Sequence, residues 1–267
     1  MPTPTKPCPQ ANYLWSGYVD TSLAGGQFTS VSANWIQTKA TCGQANRGAW
    51  ALFWVGLDGS RSVTVEQGGT EAQCVNGKPR YSAWWEMYPT NLVQTSFPIA
   101  VGDHISASVV YSSASDTYTV TVQDTTSGQS LVVVCWTNAS AVNPNMYTVT
   151  LDGGPPSGPT AFPVTQTQSG ILCSPSNPCQ NASAEWVVEA PGDDPSNPGG
   201  LYPLAHYLPV TFQSANAVDV SGDSGSISDP AWEHTGYDLT TTSDVHLADV
   251  SALKSDGTQF RDVRVHG

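Results

Sequence analysis

Hydrophobic and polar residues alternate with a period of two through most of the chain. β-Branched residues are abundant, Gly, Ser and Asp punctuate the runs, and no long stretch has helical periodicity. The pattern predicts an all-β protein. Residues 104–136, HISASVVYSSASDTYTVTVQDTTSGQSLVVVCW, read as three consecutive antiparallel strands joined by Ser-Ala-Ser-Asp and Thr-Thr-Ser-Gly turns. Many short strands at such spacing predict a sandwich or a barrel. No composition break calls for a second domain, so residues 1–11 read as an N-terminal extension and 12–267 as one β domain. Within it, residues 190–209 are rich in Pro, Gly and Asp and read as a long surface loop.

Three segments share a two-faced pattern. In GAWALFWVGLDG (48–59), Ala51, Phe53, Val55 and Leu57 form one apolar row, and Trp54, Gly56 and Asp58 lie opposite. In YSAWWEMYP (81–89) the apolar row is Ala83, Trp85 and Met87, against Trp84, Glu86 and Tyr88. In SAEWVVE (183–189) it is Ala184, Trp186 and Val188, against Glu185 and Glu189. If these strands are neighbours, Asp58, Glu86 and Glu185 converge on a cleft walled by indole rings, where desolvation and mutual repulsion raise carboxyl pKa values. The alternative is a half-exposed sheet whose acids are simply solvated. A fourth segment, RSVTVEQGG (61–69), puts Gln67 on the face of Val63 and Val65 with Glu66 opposite. If those valines point into the core Gln67 does too, unless the strand is bulged at Gly68 and Gly69. Alternation alone therefore assigns Gln67 no function.

Composition narrows the setting. The 267 residues are 39% hydrophobic, enough for a sizeable core, and only 12% are charged. The balance of 22 acidic against 9 basic residues, a formal charge of −13, argues against nucleic acid or an anionic membrane as a partner. No lysine or arginine occurs between Arg80 and Lys254. A fold that depends on few salt bridges loses little when acid protonates its carboxylates.

The 6 cysteines are scattered, with no CxxC or metal-finger spacing, which predicts disulfides formed in an oxidising compartment. Their connectivity is open, with a local Cys173–Cys179 clasp the expected element. No apolar run reaches transmembrane length, and MPTPTKPCPQ lacks the hydrophobic core of a secretion signal. The 5 histidines are dispersed without an HExxH, so no metal or other cofactor is expected. Asp223-Ser224-Gly225 looks like a peptidase motif but lacks the companion segments that such enzymes need, and reads as a turn. Asn138 and Asn181 each begin an Asn-X-Ser glycosylation pattern.

WVGLDG, EQGG, YSAWWEMYP and SAEWVVE, in that order, resemble the glutamic peptidases, the eqolisin family of secreted, acid-acting endopeptidases. SGYVDT (16–21), FTSVSANW (28–35) and VGDHISASV (101–109) are similar to further segments of the family. The resemblance runs from about Tyr13 to Glu189 and thins after Pro191. It implies a concanavalin A-like β-sandwich of two antiparallel sheets with the substrate cleft on the concave face of one. It also implies a catalytic dyad of Gln67 and Glu185, supported by Trp54, Asp58, Trp84 and Glu86. Glu189 matches a recurring second acid to which no task is assigned. Polypeptide substrates, a secreted monomer in an acidic environment and no cofactor complete the expectation.

The residue types suit peptide hydrolysis. A glutamate takes a proton from water and returns it to the departing amine, while a glutamine offers a neutral NH2 donor at any acidic pH. A nearby cation would hold the glutamate ionised, so the missing lysines and arginines fit. Glu86 and Glu185 in a Trp-lined cleft also suit a glycoside hydrolase, and the tryptophans alone suit a carbohydrate-binding module. Neither alternative requires Gln67.

Overall fold

The computed structural model describes residues 9–23, 25–43, 48–60, 62–137, 147–152, 179–192 and 200–265. They form two packed β-sheets with no helix. In the first sheet the strand order is Val93–Pro98, Lys78–Tyr88, Val65–Val75, Trp50–Asp58, Ser183–Glu189, Trp15–Ser22, Trp232–Thr240, His246–Val250 and Phe260–Arg264. In the second it is Tyr147–Asp152, Gln129–Trp136, Thr117–Asp124, His104–Ser112, Phe28–Ile36 and Val210–Asp219.

Val210–Asp219 serves both layers: Val210 to Phe212 pair with Phe260–Arg264 at the edge of the first sheet, and Gln213 onward pairs with Phe28–Ile36 in the second. Strand pairing among the described residues is antiparallel, except that Gln10–Asn12 runs parallel to Tyr237, Asp238 and Leu239. The tail of the expected N-terminal extension is thus already part of the sheet.

The three-stranded meander is present as His104–Ser112, Thr117–Asp124 and Gln129–Trp136, in unbroken register. Its inward residues, among them Ile105, Ala107, Val109, Val120, Val122, Leu131 and Val133, are buried. They meet the rows read from the other sheet: Ala51, Phe53, Val55 and Leu57, then Ala83, Trp85 and Met87, then Ala184, Trp186 and Val188. Period-two alternation sends these residues to one side, and their removal from water is the main term holding the layers together.

Residues 190–209 are more than a surface loop. Leu204, Ala205 and Tyr207 are buried, Trp50 N–H donates to Pro203 at 2.8 Å, and His206–Tyr207 pairs with Ala40–Thr41. The apolar residues of this Pro-rich stretch supply the reason; residues 193–199 lie outside the described set.

Cys42 and Cys74 are disulfide-bonded, as is Cys179, whose expected partner Cys173 lies outside the described residues. Cys135 departs from the expectation of full pairing: it is a buried free thiol inside the meander strand, where it packs as a small apolar residue. Asn181 is buried and accepts a hydrogen bond from the Tyr118 hydroxyl, which closes the second glycosylation pattern to modification in the folded chain.

Candidate active site

The register sets four residues in one row across four adjacent strands. Glu185 pairs with Gly56, Gly56 with Gln67, and Gln67 with Glu86. Directly paired residues point to the same face, so Glu185, Gln67 and Glu86 share the outer face of the first sheet with only a glycine between the first two. At about 4.8 Å per strand spacing, the Cα atoms of Glu185 and Gln67 are roughly 10 Å apart. A side chain at position 56 would crowd its neighbours, because its Cβ would lie 2.8 Å from the Trp54 ring and 3.2 Å from Gln67 Cβ. The space over Gly56 is bordered by the Glu185 carboxyl, the Gln67 amide and the Trp54 ring.

The expected inward turn of Gln67 does not occur, and no bulge is needed to avoid it. Val65–Val75 pairs with both neighbours without a register shift. The condition fails at the valines, which do not point into the core: Val63 is 58% exposed and Val65 belongs to an apolar cluster on the outer face. Gly68 and Gly69 are instead sites of close approach. A Cβ at Gly68 would lie 2.4 Å from Val120 of the opposite sheet, and one at Gly69 2.0 Å from the Phe53 carbonyl oxygen.

Gln67 is 4% exposed and its Nε2 donates to Glu86 Oε2 at 2.6 Å, while its Oε1 is buried with no partner in the protein. Glu185 is fully buried. Its Oε1 accepts from the Ser60 N–H and the Ser183 hydroxyl, both at 2.9 Å, and its Oε2 has no protein partner. The turn at Gly59 lies over that oxygen, since a Cβ there would come within 3.1 Å of it. Burial pushes the Glu185 carboxyl well above the ordinary carboxylate range; the two hydrogen bonds pull it down, and the charges of Asp58 and Glu189 push it up again.

Asp58 does not join the cleft as the pattern suggested. It ends its strand in the left-handed region (φ 67°), and its carboxylate accepts the N–H groups of Gln180 at 2.8 Å, Asn181 at 2.7 Å and Ala182 at 2.7 Å. These residues lead directly into Ser183–Glu189, so Asp58 fixes where Glu185 enters the sheet. Trp54 and Trp84 are both fully buried and offer no face to solvent. The Trp54 indole donates to Glu189 Oε2 at 2.8 Å and meets Trp15 edge-on, and the Trp84 indole donates to the Thr70 carbonyl at 3.0 Å. They floor the site from below.

Above this floor runs a groove of about 750 Å³. Gly59, Ser62, Val65 and Tyr88 line one end, Gln67, Glu86 and Leu92 the middle, and Leu52, Trp50 and Tyr202 the other. Glu189 lines it too, and burial, reinforced by the charge of Glu86, pushes its carboxyl up to about 8. Sequence reasoning did not single out Trp15, Ser60, Leu92 or Tyr202. Ser60 and Tyr202 lie in irregular segments that alternation does not orient, and Trp15 was not placed on any strand.

The two-sheet sandwich is the architecture of solved glutamic peptidases. Scytalido-glutamic peptidase with a transition state analog inhibitor superposes with a TM-score of 0.64 at 21% identity, over 96% of this chain and 100% of that one. SCP-B, an eqolisin in complex with the tripeptide Ala-Ile-His, gives 0.60 at 19% identity, over 96% and 100%. Aspergilloglutamic peptidase from Aspergillus niger gives 0.54 at 22% identity, over 81% and 99%. At these identities the likeness establishes the fold. The sequence model of the Peptidase A4 family matches residues 13–147 and 162–261, and the chain belongs to that family, the glutamic peptidases or eqolisins, which are peptide hydrolases. No curated protein sequence matches it significantly.

Proposed function

We propose that the chain is a secreted endopeptidase that cleaves polypeptides in acid, with Glu185 and Gln67 as its catalytic pair. The observation that carries this reading is the row Glu185, Gly56, Gln67, Glu86, in which Glu185 Oε2 and Gln67 Oε1 are both buried without a protein partner. Two such acceptors bordering one glycine suit a water molecule held between them. Ionised Glu185 takes a proton from that water as its oxygen attacks the substrate carbonyl carbon, and the carbonyl π pair moves onto oxygen. Gln67 donates one N–H to Glu86, which leaves its second N–H for the oxyanion. Protonated Glu185 then gives its proton to the amide nitrogen as the C–N bond breaks, releasing an acid and an amine. Positioned proton transfer contributes about 10²- to 10⁴-fold, and one oxyanion donor roughly 2.7–4 kcal/mol.

The raised pKa of Glu185 makes it an available acid for the second half of this cycle, while the first half draws on the fraction that is ionised at the working pH. Glu86 and Glu185 do not suit a glycosidase pair: Gln67 and Gly56 stand between them in the row, and Glu86 is engaged by the Gln67 amide. The test is incubation with denatured casein at acidic pH in the presence of pepstatin and EDTA. Persistent cleavage is expected, and its loss to either inhibitor would assign the activity to another class.

A further inference from the structure

A second apolar cluster, built on Trp50, Leu52, Trp54 and Trp84, lies on the groove side of the first sheet and is separated by that sheet from the main core. Leu92 and Tyr202 pack against it yet remain partly exposed, and both line the groove. Tyr202 is held there by an edge-on contact with Trp50, ring centroids 5.2 Å apart, and by its N–H donating to the Pro191 carbonyl at 2.9 Å. Apolar side chains fixed in an open, continuous groove call for an apolar occupant.

The distance to the catalytic row follows from the register. The groove runs along the strands, from Val65 and Tyr88 past Gln67 and Glu86 to Leu52 and Trp50. Leu52 precedes Gly56 by four residues on the same strand and the same face, so it lies roughly 14 Å further along. A polypeptide lying extended in the groove advances at a similar ~3.3 Å per residue.

We infer that this end of the groove is a distal subsite, formed by Trp50, Leu52 and Tyr202, that selects an aliphatic or aromatic side chain about four residues from the cleaved bond. The inference rests on the Gln67 and Glu185 reading for the position of that bond.

The acids nearby do not redirect the preference toward lysine or arginine. Glu71 is already surrounded by donors: Trp50 Nε1 at 2.7 Å, Gln94 Nε2 at 2.9 Å from each oxygen, and the Ser82 hydroxyl. Glu189 accepts from the Trp54 indole at 2.8 Å, and with its carboxyl pushed up to about 8 it is neutral in acid. A cationic side chain placed over Leu52 finds no free carboxylate, whereas an apolar one removes Tyr202 from water.

The test uses the intact protein at pH 4 and peptides identical around one cleaved bond, which mass spectrometry identifies. A short reference peptide is compared with peptides extended by five residues toward either the N- or the C-terminal side. Each extension carries Leu, Ser or Lys four residues from the bond. In one of the two series Leu should raise kcat/KM on the order of 10-fold over Ser and Lys, chiefly through KM. Tyr202→Ala should bring the Leu-to-Ser ratio toward one. Equal cleavage of all three residues in both series by the wild-type protein would overturn the subsite without requiring any variant to fold. Failure of the dyad reading is separately visible, as cleavage of the short peptide by Glu185→Gln.

Discussion

Glu185 and Gln67 are cross-strand partners of the same residue, Gly56, one on each side of it. This places a carboxyl and an amide on one face with a glycine between them, although 118 positions separate them in sequence. Gly56→Ala should disturb that gap, since the new Cβ presses on Trp54 and Gln67. The expected result is a loss of roughly 10²-fold in kcat, the order that small misplacements of reacting groups cost. Steady-state kinetics beside a thermal melt will separate this from unfolding; wild-type kcat in the variant would contradict it.

Glu86 orients the Gln67 amide through a 2.6 Å hydrogen bond. Glu86→Ala frees the amide to rotate and should lower kcat by about 10- to 100-fold, within the range for losing an oxyanion donor, with a smaller change in KM. Glu86→Gln retains an acceptor and should recover part of the loss. A change confined to KM would mean that Glu86 serves binding instead.

Asp58 satisfies three consecutive backbone N–H groups from a fully buried position. Asp58→Ala leaves these donors without an acceptor and should destabilise the fold by about 3 kcal/mol or more. Asp58→Asn, which keeps one carbonyl oxygen, should cost less. Urea unfolding at pH 4 measures both.

Buried acids give the fold a dependence on pH opposite to that of a protein held by salt bridges. Burial holds the carboxyls of Glu66, Glu185 and Asp20 well above their ordinary range, Asp262 up to about 7 and Glu189 up to about 8. In each case the folded state binds its proton more tightly than the unfolded chain, where carboxyls titrate near 4. Their contribution is fully present below about pH 4 and is lost as pH rises through 7 and 8. Tm should therefore fall between pH 4 and pH 8. Glu66→Gln, which cannot ionise, should raise Tm at pH 7 more than at pH 4; a Tm that rises toward neutrality would contradict the assignment.

The parts of this structure legible in the sequence are those that alternation controls. Phe53, Trp85 and Trp186 declared the core face of their strands because each sits in an unbroken apolar row. What alternation cannot give is which strand lies beside which, and the site is made by that order: Gly56 matters only because Ser183–Glu189 and Val65–Val75 flank its strand. Gln67 was legible only through its resemblance to a family motif, because Val63 and Val65 imitate a core row while facing the groove. Asp58 misled for a different reason. It has the alternation of a cleft residue, but its strand ends there in the left-handed region and the carboxylate turns to cap a segment more than 120 residues away in sequence.

The most direct test compares kcat/KM for one unstructured acid-soluble peptide among the wild type, Glu185→Gln and Gln67→Ala, all at pH 4 with matched thermal melts. Glu185→Gln should fall by about 10³-fold or more and Gln67→Ala by about 10²- to 10³-fold. Either folded variant cleaving within about threefold of the wild type, under 1 kcal/mol of transition-state stabilisation, would contradict the central role given to this pair.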